Sequence, residues 1–521
     1  MKAKQRMLSV LILALLIPAL AGQQAQEVSL TLEESIVRAM KNNLNLAVEV
    51  YNPDLADATL SVAKEVFLPT LGFNFNRESD ESPSYWWLQA SGTSISKMTN
   101  VGASVTQPFP WGGSLGLSLT DYKSETNQSF QLLNPRFGST LQFDFTQPLL
   151  KNFGTRVARQ EILVARNNLN ISERQLETTL MSTVYRVQEA YWNLVYAIEN
   201  FKVNQQSLQL ARDLLNKNRK EAEVGTLAPL EVLNAEATVA QREAEILEAE
   251  ALIKKSEDVL KSQISPASDG GDLRNRKIVP ADKPEFKPIS VSLDEALKQA
   301  MENRPDLDVS RATIQNSEIN FSVAKNQLLP QLDLKLSYWS PGISGTRLLY
   351  LNDNPLTGIV IGTQPGGSSK AIRDAMKFLY HNWTAGITLS IPVSDVVGRA
   401  TYALAKLQLD QNIARLRTQE QQIFLEVSDA VRSVETDAKR VNAYRIAREL
   451  AEKRLDAETK KLNVGLTTNY FVLDYQKQLA DAQSAEIKSL VDYNLSLALL
   501  EKAVGSSLAI RNITVLNVGK Q

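Results

Sequence analysis

Residues 30–77 and 291–338 lie on one another at a constant offset of 261, without a gap. Leu32, Glu34, Ala39, Met40, Asn42, Leu46 and Val48 meet Leu293, Glu295, Ala300, Met301, Asn303, Leu307 and Val309. Ser61-Val62-Ala63-Lys64 meets Ser322-Val323-Ala324-Lys325, and Leu68-Pro69 meets Leu329-Pro330. After small length adjustments Val224-Gly225 falls on Val464-Gly465. A duplication this long builds one object from two similar units, so the 521 residues are read as two interlocked repeats rather than as independent domains. The repeats span 22–275 and 290–505, with a linker at 276–289 and a tail at 506–521.

The first residues set an expectation about compartment. Lys2, Lys4 and Arg6 precede an apolar run from Met7 to Leu20, and Ala19-Leu20-Ala21 supplies small residues for cleavage. This is the pattern of a secretory signal peptide over 1–21, with the mature chain expected to start near Gly22. No other stretch approaches the ~20 apolar residues of a spanning helix. The chain has no cysteine, so neither a disulfide framework nor a lipid-anchor cysteine is expected. A formal net charge of −1 gives no reason to expect nucleic acid.

Each repeat runs helix, strands, long helix, tight turn, long helix. In the first, Leu32 to about Leu68 reads as helix, with a break expected near Asn52-Pro53 because proline cannot continue a helix interior. The hydrophobic period then switches to two over about 69–150. Leu71, Phe73 and Phe75 alternate with Gly72, Asn74 and Asn76, and Leu141, Phe143 and Phe145 alternate with Gln142, Asp144 and Thr146. In the second repeat, over about 330–340, Leu332, Leu334, Leu336 and Tyr338 alternate with Asp333, Lys335, Ser337 and Trp339. Over about 383–392, Ile387, Leu389 and Ile391 flank Thr388 and Ser390. Strict alternation gives one apolar and one polar face.

A soluble sheet lying on a core and a membrane barrel both satisfy that pattern. The context favours the barrel: strands of about ten residues follow a signal peptide, and aromatic residues cluster near their ends. Those aromatics are Trp86, Trp87, Tyr338, Trp339, Tyr380 and Trp383. An extra hairpin is expected in the first repeat, where Val101, Ala103 and Val105, then Leu115, Leu117 and Leu119, flank the turn 108–113. The segments 78–98, 126–138 and 341–382 read as polar outer loops. Four to six strands cannot close a barrel with a lumen, and an open edge in hydrocarbon costs several kcal/mol for each unpaired backbone group. Several copies must therefore share one barrel, with four or six strands from each.

From Thr155 to Glu221 there is no proline or glycine, a helix of ~100 Å at ~1.5 Å per residue. Leu176, Leu180, Val184, Val187, Tyr191, Leu194 and Ile198 mark its seam. In the partner helix, Leu230, Leu233, Ala237, Ala240, Ala244, Leu247 and Ala251 recur at spacings of three and four, a heptad seam. Long antiparallel hairpins are expected over about 153–264 and 396–504, turning at Val224–Pro229 and Val464–Asn469.

In these features the chain resembles the TolC-like outer-membrane efflux proteins, over essentially the whole mature sequence. The matching pieces recur in order in both halves. Leu30-Thr31-Leu32-Glu33-Glu34-Ser35 and Val291-Ser292-Leu293-Asp294-Glu295-Ala296 each precede an Ala-Met-x-Asn segment. Val-Ala-Lys-x-x-x-Leu-Pro precedes a strand, Thr146-Gln147-Pro148-Leu149-Leu150 precedes the long helix, and Val-Gly marks both helical tips. The resemblance implies an α+β membrane protein: a homotrimer with a β-barrel in outer-membrane lipid, continuous with a periplasmic α-helical coiled-coil barrel. It implies docking of the tips onto a periplasmic adaptor tied to an inner-membrane transporter, which points to Gly225, Thr226, Leu227, Gly465, Leu466 and Thr467. Some relatives narrow the tunnel with acids after the second tip. Asp474 matches one such position, while Phe471 occupies the other and Thr467 stands where some relatives use a latching arginine. By residue type alone, Asp474 reads equally as a gate or as a solvated tip aspartate.

Catalysis finds little support in the residue types. The single histidine, His381, falls in an outer loop or strand start, no phosphate-binding Gly-Lys-Ser/Thr loop occurs, and no cofactor is expected. Glu243, Glu245, Glu248 and Glu250 read as a solvated helix face. The leading expectation is a passive exit duct for small molecules, with a duct for secreted proteins or peptides as its rival. A periplasmic coiled-coil adaptor or spacer is the alternative from another class.

Overall fold

The computed structural model describes residues 27–85, 92–265 and 276–513, so the expected signal peptide, Trp86 and Trp87 lie outside the described residues. The first repeat runs β1 (Glu27–Leu30), α1 (Leu32–Asn42), α2 (Leu44–Glu49), α3 (Tyr51–Glu65) and the strands β2 (Thr70–Pro83), β3 (Thr93–Pro108), β4 (Ser114–Thr126) and β5 (Leu133–Pro148). It continues with α4 (Thr155–Ala158), α5 (Gln160–Glu223) and α6 (Pro229–Ile264). The second has β6 (Lys277–Pro280), α7 (Leu293–Asn303), α8 (Pro305–Gln327), β7 (Gln331–Tyr350), β8 (Val360–Gln364), α9 (Ser368–Met376) and β9 (Asn382–Ser390). It closes with α10 (Val396–Asn463), α11 (Asn469–Val504) and α12 (Ser507–Ile510). The chain divides into two compact units. One holds Met1–Asn52, Glu173–Asp308 and Thr418–Gln521, and the other Pro53–Ser172 and Val309–Arg417.

The first unit is helical. Thr31 opens α1 with a reciprocal cap: its hydroxyl accepts from Glu34 N at 3.1 Å, and the Glu34 carboxylate accepts from Thr31 N at 3.0 Å. The chain breaks earlier than expected. Asn43 ends α1 and caps α2 by accepting from Asn45 N and Leu46 N, while Pro53 sits in the first turn of α3, where its missing N–H costs nothing. Along α5 the expected seam holds, with Leu176, Leu180, Val184, Val187, Tyr191 and Leu194 all buried. Leu30, Leu260, Ile264 and Ile278 complete that core.

Two readings need correction here. The segment 276–289 is more than a linker: its β6 pairs in parallel with β1, Glu27 opposite Lys277 through Leu30 opposite Pro280. Tyr191 fastens it, donating to Leu30 O and to the Asp282 carboxylate and accepting from Asp282 N. Burial pushes the Tyr191 phenol well above its ordinary range, so it stays a neutral donor. Secondly, the regular apolar stripe of α6 does not face the core. Leu230, Leu233 and Leu247 are 64%, 61% and 66% exposed, and the buried stripe is Ala235, Arg242, Ala249, Leu260 and Ile264. The spacing identified an apolar stripe correctly but not the surface that would cover it.

In the second unit six long strands form an antiparallel sheet in the order β2-β3-β4-β5-β7-β9, with short β8 paired to the far end of β7. The extra hairpin is thus part of the sheet, β3 pairing β2 throughout and β4 pairing β5. Its turn closes with Phe109 N donating to Gly113 O, the rings of Phe109 and Trp111 stacked 4.5 Å apart, and Gly112 at φ +95°. Strands are longer than the expected ten residues: 14, 16, 13 and 16 in β2 to β5, and 20 in β7. Much of the three segments read as outer loops is therefore strand, and the third also contains α9. Polar side chains at those strand ends removed the hydrophobic alternation on which the boundaries rested.

Candidate functional site

The two helical tips share the same pair of capping hydrogen bonds. At the first, Gly225 at φ +77° ends α5, with Gly225 N donating to Ala222 O and Thr226 N to Glu221 O. At the second, Gly465 at φ +75° ends α10, with Gly465 N donating to Leu462 O and Leu466 N to Lys461 O. Both are Schellman caps, which need a left-handed residue one place past the helix and therefore select glycine. After each cap the next helix restarts four residues past the glycine, α6 at Pro229 and α11 at Asn469. The turns present apolar side chains to solvent: Val224 is 74% exposed, Val464 68% and Leu466 77%.

Their side chains differ. At the first tip the Thr226 hydroxyl donates to Glu221 O at 2.9 Å. At the second, the Thr467 hydroxyl donates to Glu458, and Lys461 lies 3.2 Å from the same carboxylate. The Thr467 hydrogen bond, with Lys461 behind it, holds Glu458 below the usual glutamate range. With Gly225 placed on Gly465, Asn218 stands where Glu458 stands, so only the second tip carries a titratable clasp. Residue-by-residue reading of the tips missed Glu458; its signal was the nine-residue step from Glu458, near the end of α10, to Thr467 in the turn beyond that helix. Asp474 lies half-buried in the second turn of α11, accepting from Gln478 at 2.7 Å.

The sheet carries the other functional surface. Cross-strand register puts Leu71, Val105, Leu117, Phe143, Tyr338 and Trp383 in one row on one face. Phe73, Phe75, Leu336, Ile387 and Leu389 share that face and are exposed. The opposite face carries Asn74, Asn100, Thr120, Gln142, Asp144 and Ser337. An exposed apolar face backed by a polar one is what a membrane-barrel wall requires. Among the described residues β2 and β9 are each paired on one side only, so both outer edges of the sheet are open. Among the described residues no group of three or more His, Cys, Asp or Glu is placed to hold a metal ion, and no helix is long and apolar enough to cross a membrane.

Comparison with known proteins agrees with this geometry. The family model described as outer membrane efflux protein matches residues 114–264 and 296–506. The toluene efflux pump outer membrane protein TtgC of Pseudomonas putida is 21% identical over 342 residues, 64% of this chain and 62% of TtgC. The match thus spans less than two thirds of that relative. The outer membrane efflux protein BepC of Brucella suis biovar 1 is 21% identical over 492 residues, 93% of this chain and 87% of BepC. Among solved structures, the CmeC outer membrane channel of Campylobacter jejuni shares the fold at TM-score 0.65 and 17% identity, covering 94% of this chain and 89% of CmeC.

Proposed function

Because this chain belongs to the outer membrane efflux protein family, we propose that it is the passive exit duct of a tripartite efflux system, conducting small molecules out of the periplasm. The observation that carries the reading is the six-stranded sheet with an exposed apolar face and two open edges. In hydrocarbon each unpaired edge group costs several kcal/mol, so the β2 edge of one copy pairs with the β9 edge of the next until the wall closes. Three copies contribute eighteen strands. At ~4.8 Å between strands and a tilt of ~40°, the backbone radius is about 18 Å, against about 12 Å for twelve strands. The exposed stripe of α6 supports the same assembly, since Leu230, Leu233 and Leu247 need a neighbour to cover them.

In this reading the helices gather into a periplasmic tunnel of the same symmetry. Gly225, Thr226, Leu227, Gly465, Leu466 and Thr467 offer the adaptor its docking surface, the apolar tips supplying buried area and the Schellman caps a fixed shape. The adaptor joins the duct to an inner-membrane transporter, which provides the energy. Three copies of Asp474 would ring the tunnel near its mouth and favour cations. No step of this role requires catalysis.

The test is the mass and wiring of the native particle from the outer-membrane fraction. The expected result is three times the mature chain mass, with disulfide cross-links between single cysteines scanned along β2 and one placed on β9. The chain has no cysteine of its own, so the background is clean. A monomer from the soluble periplasm, or β2–β9 cross-links absent at every register, refutes the shared wall.

A further inference from the structure

Helix α9 lies on the apolar face of the sheet, and the strands beneath are shaped to receive it. Ala371 and Ala375 are fully buried, and a side chain at Gly342 would overlap the Ala371 carbonyl oxygen and the Ala375 backbone nitrogen. Ser139 and Ser340, on the same face, are buried as well. At the end of the helix Phe378 packs on Phe143 and Tyr338, with ring centroids 6.2 and 5.8 Å apart, and Tyr338 Oη bonds the His381 ring at 2.7 Å. Small residues thus interrupt the apolar band on β5 and β7, beyond Phe143 and Tyr338, and a helix fills the gap.

The face that α9 turns away from the sheet has two parts. Lys370, Arg373 and Lys377 are exposed, with Asp374 the one acid in the helix, and none of the three cations has an ion pair among the described residues. Beside them Met376, Leu379 and Tyr380 are 55%, 56% and 57% exposed, and Trp383, opposite Tyr338, is 73% exposed. A short basic amphipathic helix, anchored through Phe378 on Phe143 and Tyr338 with Tyr380 and Trp383 exposed beside it, has the composition of an interfacial anchor. Neighbouring strand ends do not supply the charge: Arg77, Lys97, Lys123, Arg136 and Arg347 are balanced by Glu78, Asp80, Glu81, Asp121 and Glu125. The net positive charge at this level comes from α9.

We propose that α9 is a lipid-headgroup site: Lys370, Arg373 and Lys377 bind the phosphates of a phosphorylated lipid in the outer leaflet, while Met376 and Leu379 enter its acyl region. The inference rests on the outer-membrane reading of the sheet. Two features select this occupant over a protein partner. The apolar part of α9 is continuous with the lipid-facing band, and its unpaired cations stand where lipid phosphates lie.

The experiment titrates the detergent-solubilised full-length oligomer with diphosphoryl lipid A, read by native mass spectrometry. The comparison protein carries Lys370→Gln, Arg373→Gln and Lys377→Gln. At roughly fivefold per cation near a charged surface, the triple substitution weakens binding about a hundredfold at low salt. Dephosphorylated lipid A binds both proteins equally weakly, and Lys370→Arg with Lys377→Arg retains wild-type binding. Equal affinity of wild type and triple variant for diphosphoryl lipid A overturns the proposal, as does tight binding of the dephosphorylated form. All three substituted side chains are exposed, so the oligomer keeps its mass. Loss of the oligomer from the outer-membrane fraction in the wild type would instead overturn the barrel reading.

Discussion

Replacing Leu233 and Leu247 by glutamine isolates the assembly surface, because neither side chain supports the fold of its own chain. They are 61% and 66% exposed, so what they lose on substitution is burial against a neighbour. Fully burying a leucine contributes about 1.5–3 kcal/mol, and roughly three-fifths of that, about 1–2 kcal/mol, is still to be gained at each site. Glutamine keeps helix propensity close to that of leucine. Two sites in each of three copies remove about 6–12 kcal/mol from the proposed trimer. The assay is dissociation of the purified oligomer, by dilution and by heating, followed by native mass. The double variant should fall to monomers at concentrations or temperatures where the wild type stays assembled, with helix content of the monomer unchanged. A variant oligomer as persistent as the wild type would refute the claim that this stripe is an interface, and with it the physical reason for its regularity.

Other outcomes follow from the same geometry. Gly225→Ala and Gly465→Ala meet no steric obstacle, yet each puts a Cβ into the left-handed region at a cost of about 1–2 kcal/mol. Hydrogen exchange at the tips should speed up and adaptor affinity fall, while the oligomer remains intact. Glu458 has its carboxyl held low by the Thr467 hydroxyl, so the clasp is complete above the ordinary glutamate range and is lost as pH falls through the lowered value. Amide protection at the second tip, relative to the intrinsic exchange rate at each pH, should therefore fall with acid more than at the first, and Thr467→Val should abolish the difference. Arg304 bonds Asp306 and Glu426, each at 2.6 Å, from a largely buried position. Arg304→Met leaves both acids without a cation, though Asp306 keeps Gln419 and Glu426 keeps Gln422, and should cost about 2 kcal/mol; a melting temperature unchanged within 1 °C would contradict this. Deleting 93–126 keeps strand direction consistent, since β2 and β5 are antiparallel. It should narrow the proposed eighteen-strand pore to twelve, cutting single-channel conductance about twofold, as the square of the radius.

Much of this protein is written locally. The left-handed glycines of the tips, the capping box at Thr31 and the period-two alternation of β2 to β5 each arise from residues within a few positions of one another. So do the uninterrupted runs that become α5 and α10. The duplication then orders these pieces twice. What tertiary structure alone decided are the pairings between distant residues. The register of β5 on β7 places Ser139 beside Gly342, and only that neighbourhood turns a polar loop segment into a socket for α9. The same holds for β6, whose four residues carry no strand signal until β1 lies beside them. It holds again for α6, where periodicity shows that an apolar stripe exists, while its 61–66% exposed leucines show that the chain's own core is not what covers it. A sequence specifies which surfaces are apolar because side chains carry that property with them. Which surface each one meets is a property of the assembled chain.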